Sequence, residues 1–227
     1  MTNSQMQEIQ YTDEQLEKAV NGIYNRVIKR MIDFCLAAIL FLLVLPLYLI
    51  VTIAIACETG FPVLYRAMRG GYRGKHFRIC KFRSMVHNAD KLGGHTTAFH
   101  DKRVTKVGAF LRRTKLDETP QLLNILKGEM SFVGPRPEVL EYVNCFEGQE
   151  KFILQVRPGI TDYSSLKFIN LDELVGETNA DEYFVREILG QKNKLRVRYA
   201  AEVSFRTDVK IFAMTVWSVA KRFFGRK

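Results

Sequence analysis

Two adjacent carboxylates, Asp117 and Glu118, follow a run of cations formed by Arg112, Arg113 and Lys115. A carboxylate in such a field is expected to stay ionised, because nearby positive charge favours the anionic form. Three uses of the pair are open at this level. It can attack phosphorus to give an aspartyl-phosphate type intermediate. It can hold Mg²⁺, which prefers carboxylate and phosphate oxygens. Or Asp117 can simply cap the helix that follows, with Glu118 favouring its positive end. A second set, Lys81, Arg83, Arg112, Arg136 and Arg157, supplies the opposite charge. Arginine offers a planar fork matched to phosphate oxygens, and the proline turns Gly134-Pro135-Arg136-Pro137 and Arg157-Pro158-Gly159 fix the backbone at two of them. A solvated basic surface, or one touching lipid headgroups, accounts for any single member of that set equally well.

Other chemistry is not signalled. His76, His87, His95 and His100 lack metal-ligand spacing, and Cys35, Cys57, Cys80 and Cys145 include no CxxC pair, so neither a disulfide framework nor a zinc site is expected. Gly70-Gly71, Gly74 and Gly93-Gly94 do not form a phosphate-cradling GxxxxGK[ST] loop and read as turns. The 34 Lys and Arg against 24 Asp and Glu give a net charge of +10, which calls for an anionic partner such as nucleic acid, anionic lipid or a phosphorylated substrate. From Phe61 to Pro120 there are 14 basic and 4 acidic residues, so that stretch alone carries the excess.

The elements that must position these residues begin with an anchor. Phe34 to Cys57 has no charged residue and is long enough to cross a hydrocarbon core, which needs roughly 20 residues. Pro46 near its middle predicts a kink. Its flanks agree in sign, with Arg26, Lys29 and Arg30 before it and Arg66, Arg69, Arg73 and Lys75 after it. Positive charge marks the cytoplasmic side, so a helix that enters, bends and returns satisfies both flanks better than a straight span. Ahead of it, residues 1–25 form a polar lead or surface helix, with a helix start at Thr12-Asp13-Glu14-Gln15, and they lack the cationic pattern of a signal peptide. After it, Pro62–Arg66 and His76–Phe82 suit a β-hairpin. The remainder is mainly helical, and Gly128 is expected to end the helix that Asp117 starts. The final stretch from Asp208 puts Val209, Phe212, Val216, Val219 and Phe223 at helical spacing beside Trp217, with Lys210, Lys221, Arg222, Arg226 and Lys227 around them. That pattern suits a helix in the membrane interface, or one docked on the protein's own core.

Taken in order, KFRSM (Lys81–Met85), RRTKLDETPQLLNILKGEMSFVGPRP (Arg112–Pro137) and RPGIT (Arg157–Thr161), behind a proline-broken apolar helix, resemble the bacterial sugar transferase family, the monotopic phosphoglycosyl transferases. The resemblance runs from about Tyr24 to the C-terminus. It implies a mainly α fold with a small β-hairpin: a Pro46-kinked re-entrant helix over residues 26–58, and a cytoplasmic-face catalytic domain over 59–227 with interfacial amphipathic helices. Both termini are then cytoplasmic, at the inner (plasma) membrane of a bacterium. The implied chemistry is attack of Asp117 on the β-phosphate of a UDP-sugar, release of UMP, and passage of the sugar phosphate to a polyprenyl phosphate, the first membrane step of a surface polysaccharide or glycoconjugate pathway. Glu118 would help Asp117 hold Mg²⁺. Lys81, Arg83, Arg112, Arg136 and Arg157 would bind diphosphate or lipid phosphate, Pro135 and Pro137 would shape the turn, and Asp208 falls near a family acidic position.

Many members continue after RPGIT with Gly and an apolar-Ala-Gln run, whereas this chain reads Asp162-Tyr163-Ser164-Ser165-Leu166 and then reaches Asp172-Glu173. The departure bears on sugar and nucleotide specificity. Without the extra N-terminal spans of larger members, the chain resembles the minimal catalytic form. Membrane lipids are expected partners, nucleic acid is not, and the oligomeric state stays open, a homo-oligomer included. Two alternatives remain distinct: a membrane glycosyltransferase would release UDP rather than UMP, and a basic membrane-anchored binding protein would leave the DETPQ and GPRP motifs without a role.

Overall fold

The computed structural model describes residues 10–89, 101–169 and 180–224. Gly93-Gly94, His95, His100, Asp172, Glu173, Arg226, Lys227 and the first nine residues lie outside them, as do the side chains of Arg222 and Phe223. The described chain is mostly helical with a small antiparallel hairpin, as its sequence predicts.

Helix α1 (Asp13–Asn21) opens on a reciprocal capping box. The Thr12 hydroxyl accepts the Gln15 N–H, and the Gln15 side chain accepts the Thr12 N–H. Leu16 and Val20 are 0% and 2% exposed, so residues 13–21 of the polar lead pack as a helix.

After a π turn at Tyr24–Ile28, α2 runs unbroken from Lys29 to Thr59, with Pro46 inside it. At 1.5 Å per residue it is roughly 46 Å long. Its outer face is apolar: Ile39, Leu42, Leu43, Leu49, Ile50 and Ile53 are all more than half exposed. Its inner face buries Asp33, Ala37, Val51 and Ile55. Both ends are bonded to the rest of the protein. At the start, Lys29 pairs with Asp208, and Arg30 donates to the carbonyls of Ile125 (2.5 Å) and Leu126 (2.8 Å). At the finish, Glu58 accepts the backbone N–H groups of Lys106 (2.8 Å) and Val107 (3.1 Å). Two of the basic residues flanking the apolar run therefore serve protein contacts, not lipid headgroups.

Strands β1 (Leu64–Gly70) and β2 (His76–Phe82) form the predicted hairpin, with Leu64 opposite Phe82 and Gly70 opposite His76. Helix α3 (Lys106–Thr114) ends on Lys115 in a left-handed conformation. A 3₁₀ turn (Leu116–Gln121) then leads into α4 (Leu122–Lys127), which Gly128 terminates at φ 83°. Asn124 locks α4 to β2: its amide oxygen accepts the Cys80 N–H (2.9 Å) and its amide nitrogen donates to the Arg78 carbonyl (2.8 Å).

A second, parallel pairing was not predicted. Strand β3 (Ser131–Val133) lies beside β4 (Gly159–Thr161), and the two proline turns meet at their ends. The Gly134 N–H donates to the Thr161 carbonyl (2.9 Å), and the Gly159 N–H to the Pro135 carbonyl (3.0 Å). The backbones approach so closely that a Cβ on Gly134 would stand 2.2 Å from the Arg157 carbonyl oxygen, and one on Gly159 2.1 Å from the Gly134 nitrogen. That contact explains why both motifs carry glycine beside proline.

Helix α5 (Leu140–Val143), a 3₁₀ stretch (Gly148–Gln155), α6 (Tyr163–Lys167), α7 (Ala180–Tyr183) with its π turn (Phe184–Leu189), α8 (Gly190–Glu202) and α9 (Phe205–Phe224) complete the chain. The main core joins Leu16, Ile125, Met130, Tyr199 and Ile211, all fully buried, to Ala37 of α2. On α9, Ile211 and Asp208 face inward while Val209, Val216 and Trp217 are 50%, 54% and 72% exposed. The helix thus docks by one face and presents an apolar stripe on the other.

Gly134→Ala and Gly159→Ala should each cost about 3 kcal/mol or more, because the clash is with backbone that cannot rotate away. Thermal unfolding in detergent reads this directly, and an unchanged midpoint for both would contradict the crossing.

Candidate active site

The 3₁₀ turn places Asp117 and Glu118 between β2 and the turn that follows β3. Asp117 does not cap α4, which begins five residues later at Leu122, nor does its side chain cap the 3₁₀ turn. Its Oδ1 is buried and has no hydrogen-bond partner, and the residue is 7% exposed. The capping role that the sequence left open is therefore absent.

Glu118 is the opposite case. Its carboxylate receives Lys81 Nζ (3.1 Å) and both terminal nitrogens of Arg136, one of them at 3.1 Å to Oε2. Burial pushes its carboxyl up, but Arg136, Lys81 and Lys115 outweigh that and hold it well below the usual carboxylate range. For Asp117 the balance is reversed. Burial and the adjacent Glu118 charge push its carboxyl above the ordinary value, against the pull of Lys81, Lys115 and Arg112. Two neighbouring carboxylates with divergent proton affinities are a pattern found at catalytic sites.

The dyad stands between two cavities of different character. Asp117 lines a basin of about 820 Å³ whose wall includes Arg66, Arg69, Lys81, Arg103 and Arg112. Glu118 lines another of about 460 Å³, bounded by Leu40 and Val44 of α2, Val219 of α9 and Leu166 just beyond β4. Lys81 and Arg112 thus meet Asp117, and Arg136 meets Glu118, as the motif pattern anticipates. Arg83 and Arg157 do not join them in that way. Arg83 sits on the wall of the larger basin, but its guanidinium donates to the carbonyls of Thr59 (2.9 Å) and Gly60 (2.5 Å), closing the end of α2. Arg157 donates to the Gly128 carbonyl (3.2 Å) and lies over the Tyr72 ring at 4.6 Å, lining neither basin. Asp208 is likewise structural, buried at the α2–α9 junction with Lys29, Tyr24 (2.6 Å) and Tyr199 (2.7 Å). Pro135 contributes its carbonyl to the β3–β4 crossing, and Pro137 packs beside it.

No cluster of three or more His, Cys, Asp or Glu occurs among the described residues. Both oxygens of Glu118 receive Lys81 or Arg136, so an ion of the Mg²⁺ kind, which takes one or two carboxylates and completes its shell with substrate phosphates and water, would depend chiefly on Asp117. Asp117 Oδ1 is the available oxygen.

Sequence reasoning missed Lys192, a buried lysine of α8 on the wall of the smaller basin, because nothing in its local sequence sets it apart. It also missed that Asp162 organises the divergent segment. Asp162 is fully buried, caps α6 through the Ser165 N–H (2.7 Å), and accepts the hydroxyls of Ser164 and Ser165.

The model of the bacterial sugar transferase family matches residues 24–222. The UDP-glucose:undecaprenyl-phosphate glucose-1-phosphate transferase of Escherichia coli is 38% identical over 200 residues, 85% of this chain and 40% of that protein. A UDP-N-acetylgalactosamine-undecaprenyl-phosphate N-acetylgalactosaminephosphotransferase of Aeromonas hydrophila is 39% identical over 142 residues, 61% of this chain and 34% of its own length. The sugar transferase EpsL of Bacillus subtilis, itself uncharacterised, is 34% identical over 194 residues, 85% of this chain and 87% of that protein. The chain therefore spans about two fifths of the Escherichia coli relative and most of EpsL.

Because Asp117 has a raised proton affinity when folded, its ionisation at neutral pH opposes folding. The stability it allows is full below the unfolded carboxyl value, near 3.9, and is lost as pH rises through the higher folded one. Asp117→Asn should accordingly raise the unfolding temperature at pH 7 and leave it nearly unchanged at pH 4. Glu118→Gln should do the reverse at neutral pH, lowering stability by roughly 3 kcal/mol as two cations lose their counter-charge. Equal shifts for both variants would refute the asymmetry.

Proposed function

The chain belongs to the bacterial sugar transferase family, and from that premise we propose that it moves a sugar phosphate from a UDP-sugar to undecaprenyl phosphate. The observation that carries the reading is the dyad's position: a buried Asp117 whose Oδ1 has no hydrogen-bond partner faces a cationic basin, while Glu118 backs onto one with an apolar wall from α2. A nucleotide diphosphate suits the first, and a phosphate on an apolar chain suits the second. The names of the Escherichia coli and Aeromonas hydrophila relatives share undecaprenyl phosphate and differ in the sugar, glucose in one and N-acetylgalactosamine in the other.

In the mechanism we propose, Lys81 and Arg112 draw the diphosphate against Asp117. The ionised carboxylate attacks the β-phosphorus, an O–P bond forms as the bond to the bridging oxygen breaks, and UMP leaves with that electron pair. The acceptor's phosphate oxygen then attacks the same phosphorus, which frees Asp117 and leaves a polyprenyl-diphosphate sugar. Glu118 keeps Arg136 and Lys81 fixed beside the reacting phosphorus. Mg²⁺ held by Asp117, Glu118 and the donor phosphates would neutralise charge developing on the departing UMP.

The same reading places the protein on the cytoplasmic face of the plasma membrane, with α2 dipping into one leaflet and returning. Support comes from the bonding of both its ends to one body, and from the apolar outer stripes of α2 and α9.

Purified protein with a UDP-sugar and undecaprenyl phosphate should release UMP, not UDP. Asp117→Asn should cut that release by on the order of 10³-fold or more and abolish a sugar-phosphorylated protein detectable by mass spectrometry. Release of UDP, or an active Asp117→Asn, would sink the mechanism. For topology, single cysteines at Glu17 and Lys75 in a background lacking the four native ones should react with an impermeant maleimide from the same side of sealed vesicles. Labelling from opposite sides would mean a straight span.

A further inference from the structure

The smaller basin has a polar end and an apolar end. At the polar end Lys115, Arg136 and Lys192 face the same space as Glu118. Arg136 is already bound to Glu118, and the hydroxyls of Ser164 and Ser165 are donated to Asp162. Lys192 is different. It is 6% exposed, and its ammonium stands 3.6 Å from Glu138 Oε1, beyond hydrogen-bond length. That same Glu138 oxygen is taken by the fully buried Arg196. Among the described residues the Lys192 ammonium makes no hydrogen bond, and its other neighbour is the face of the Phe184 ring at 4.9 Å. Burial pushes it down to about 8, with Arg196 and Arg136 adding to the fall and Glu138 and Asp162 opposing it. The Glu138 carboxylate offsets part of that burial, but at 3.6 Å and shared with Arg196 it leaves the three donors of the ammonium without hydrogen bonds, which an anion entering the cavity would supply.

The occupant must also suit the apolar end. Leu40 and Val44 from α2 and Val219 from α9 make that wall, and these are the helices whose outer faces are apolar. A soluble diphosphate gains nothing from such a wall, whereas a phosphate carried on a hydrocarbon chain fits both ends.

We propose that Lys192 binds the phosphate of the prenyl acceptor, completing with Arg136 an anion subsite on the Glu118 side of the dyad. The inference rests on the phosphosugar-transfer reading above but concerns only its second half. Lys192 takes no part in forming the covalent intermediate. The Asp162–Leu166 segment, divergent from the common pattern, then forms part of the acceptor's enclosure, with Ser164, Ser165 and Leu166 on the wall.

The two half-reactions separate the possibilities. With UDP-sugar alone, Lys192→Met should form the sugar-phosphorylated protein and release its single equivalent of UMP at the wild-type rate. With undecaprenyl phosphate added, its acceptor KM should rise about 10- to 100-fold, the usual loss for a charged hydrogen bond. Lys192→Arg should recover most of that loss. An unchanged acceptor KM, or equal damage to the first half-reaction, would overturn the proposal. Failure of wild-type protein to form the intermediate would instead remove the reading beneath it. A second measurement needs no variant: acetylation of Lys192 in wild-type protein, followed by mass spectrometry, should be slowed by farnesyl phosphate but not by farnesol, inorganic phosphate or UDP-sugar. Protection by UDP-sugar alone, or none by farnesyl phosphate, would count against it.

Discussion

The carboxylate of Glu118 ties together three segments distant in sequence. Lys81 comes from the end of the hairpin, Arg136 from the proline turn after β3, and Glu118 itself from the 3₁₀ turn ahead of α4. Removing Glu118 leaves two cations beside it without their counter-charge, which is the expensive outcome in a low-dielectric interior. The surrounding structure maintains this meeting. Asn124 fixes α4 against β2 and so holds Lys81 near the turn. The Gly134–Gly159 crossing holds the strand pair tightly enough to aim Arg136. With Glu118's own charge satisfied, Asp117 is left as the carboxylate whose Oδ1 stays orphaned.

The long helix depends on the same body at both ends. Lys29 with Asp208, and Arg30 on the α4 carbonyls, fix its start; Arg83 and Glu58 fix its finish. One side of α2 contacts the domain through Asp33 and Ala37 and then through Val51 and Ile55, while the other presents Leu42, Leu43, Leu49 and Ile50 outward. Such a helix packs on protein with one face and presents an apolar face with the other. The proposed transfer requires that arrangement if a lipid-borne phosphate is to reach a carboxylate in the protein.

Local rules made several elements legible in the sequence. The Thr12–Gln15 capping box, the charge-free run of α2, the hairpin around Gly70-Gly71 and the stop at Gly128 each rest on residues a few positions apart. The motifs around Asp117-Glu118, Arg136 and Arg157 pointed to the site through resemblance rather than physics. What stayed hidden was non-local. Strands β3 and β4 have only three residues each and pair across about 28 positions, too short for any alternation to declare them. Arg83 and Arg157 look like phosphate ligands by type, and only the folded chain shows that backbone carbonyls claim them. Lys192 resembles any other lysine on α8 until α7's π turn and the proline turns close around it.

The concentration of positive charge between Phe61 and Pro120 follows from the same electrostatics. In the proposed mechanism Asp117 attacks as the carboxylate, while burial and Glu118 raise its proton affinity. An arriving diphosphate brings further negative charge to the same basin and would push the carboxyl higher still. Lys81, Lys115 and Arg112 counter that tendency in the resting state, and Arg66, Arg69 and Arg103 add cations where the diphosphate would lie. Under that mechanism, charge on the donor side would serve two ends at once, binding the anionic substrate and keeping the nucleophile able to react in its presence. On the acceptor side fewer cations suffice, because the hydrocarbon chain contributes its own burial. A strongly basic stretch beside an apolar helix is thus the charge pattern expected where a diphosphate and a lipid phosphate must meet at one carboxylate.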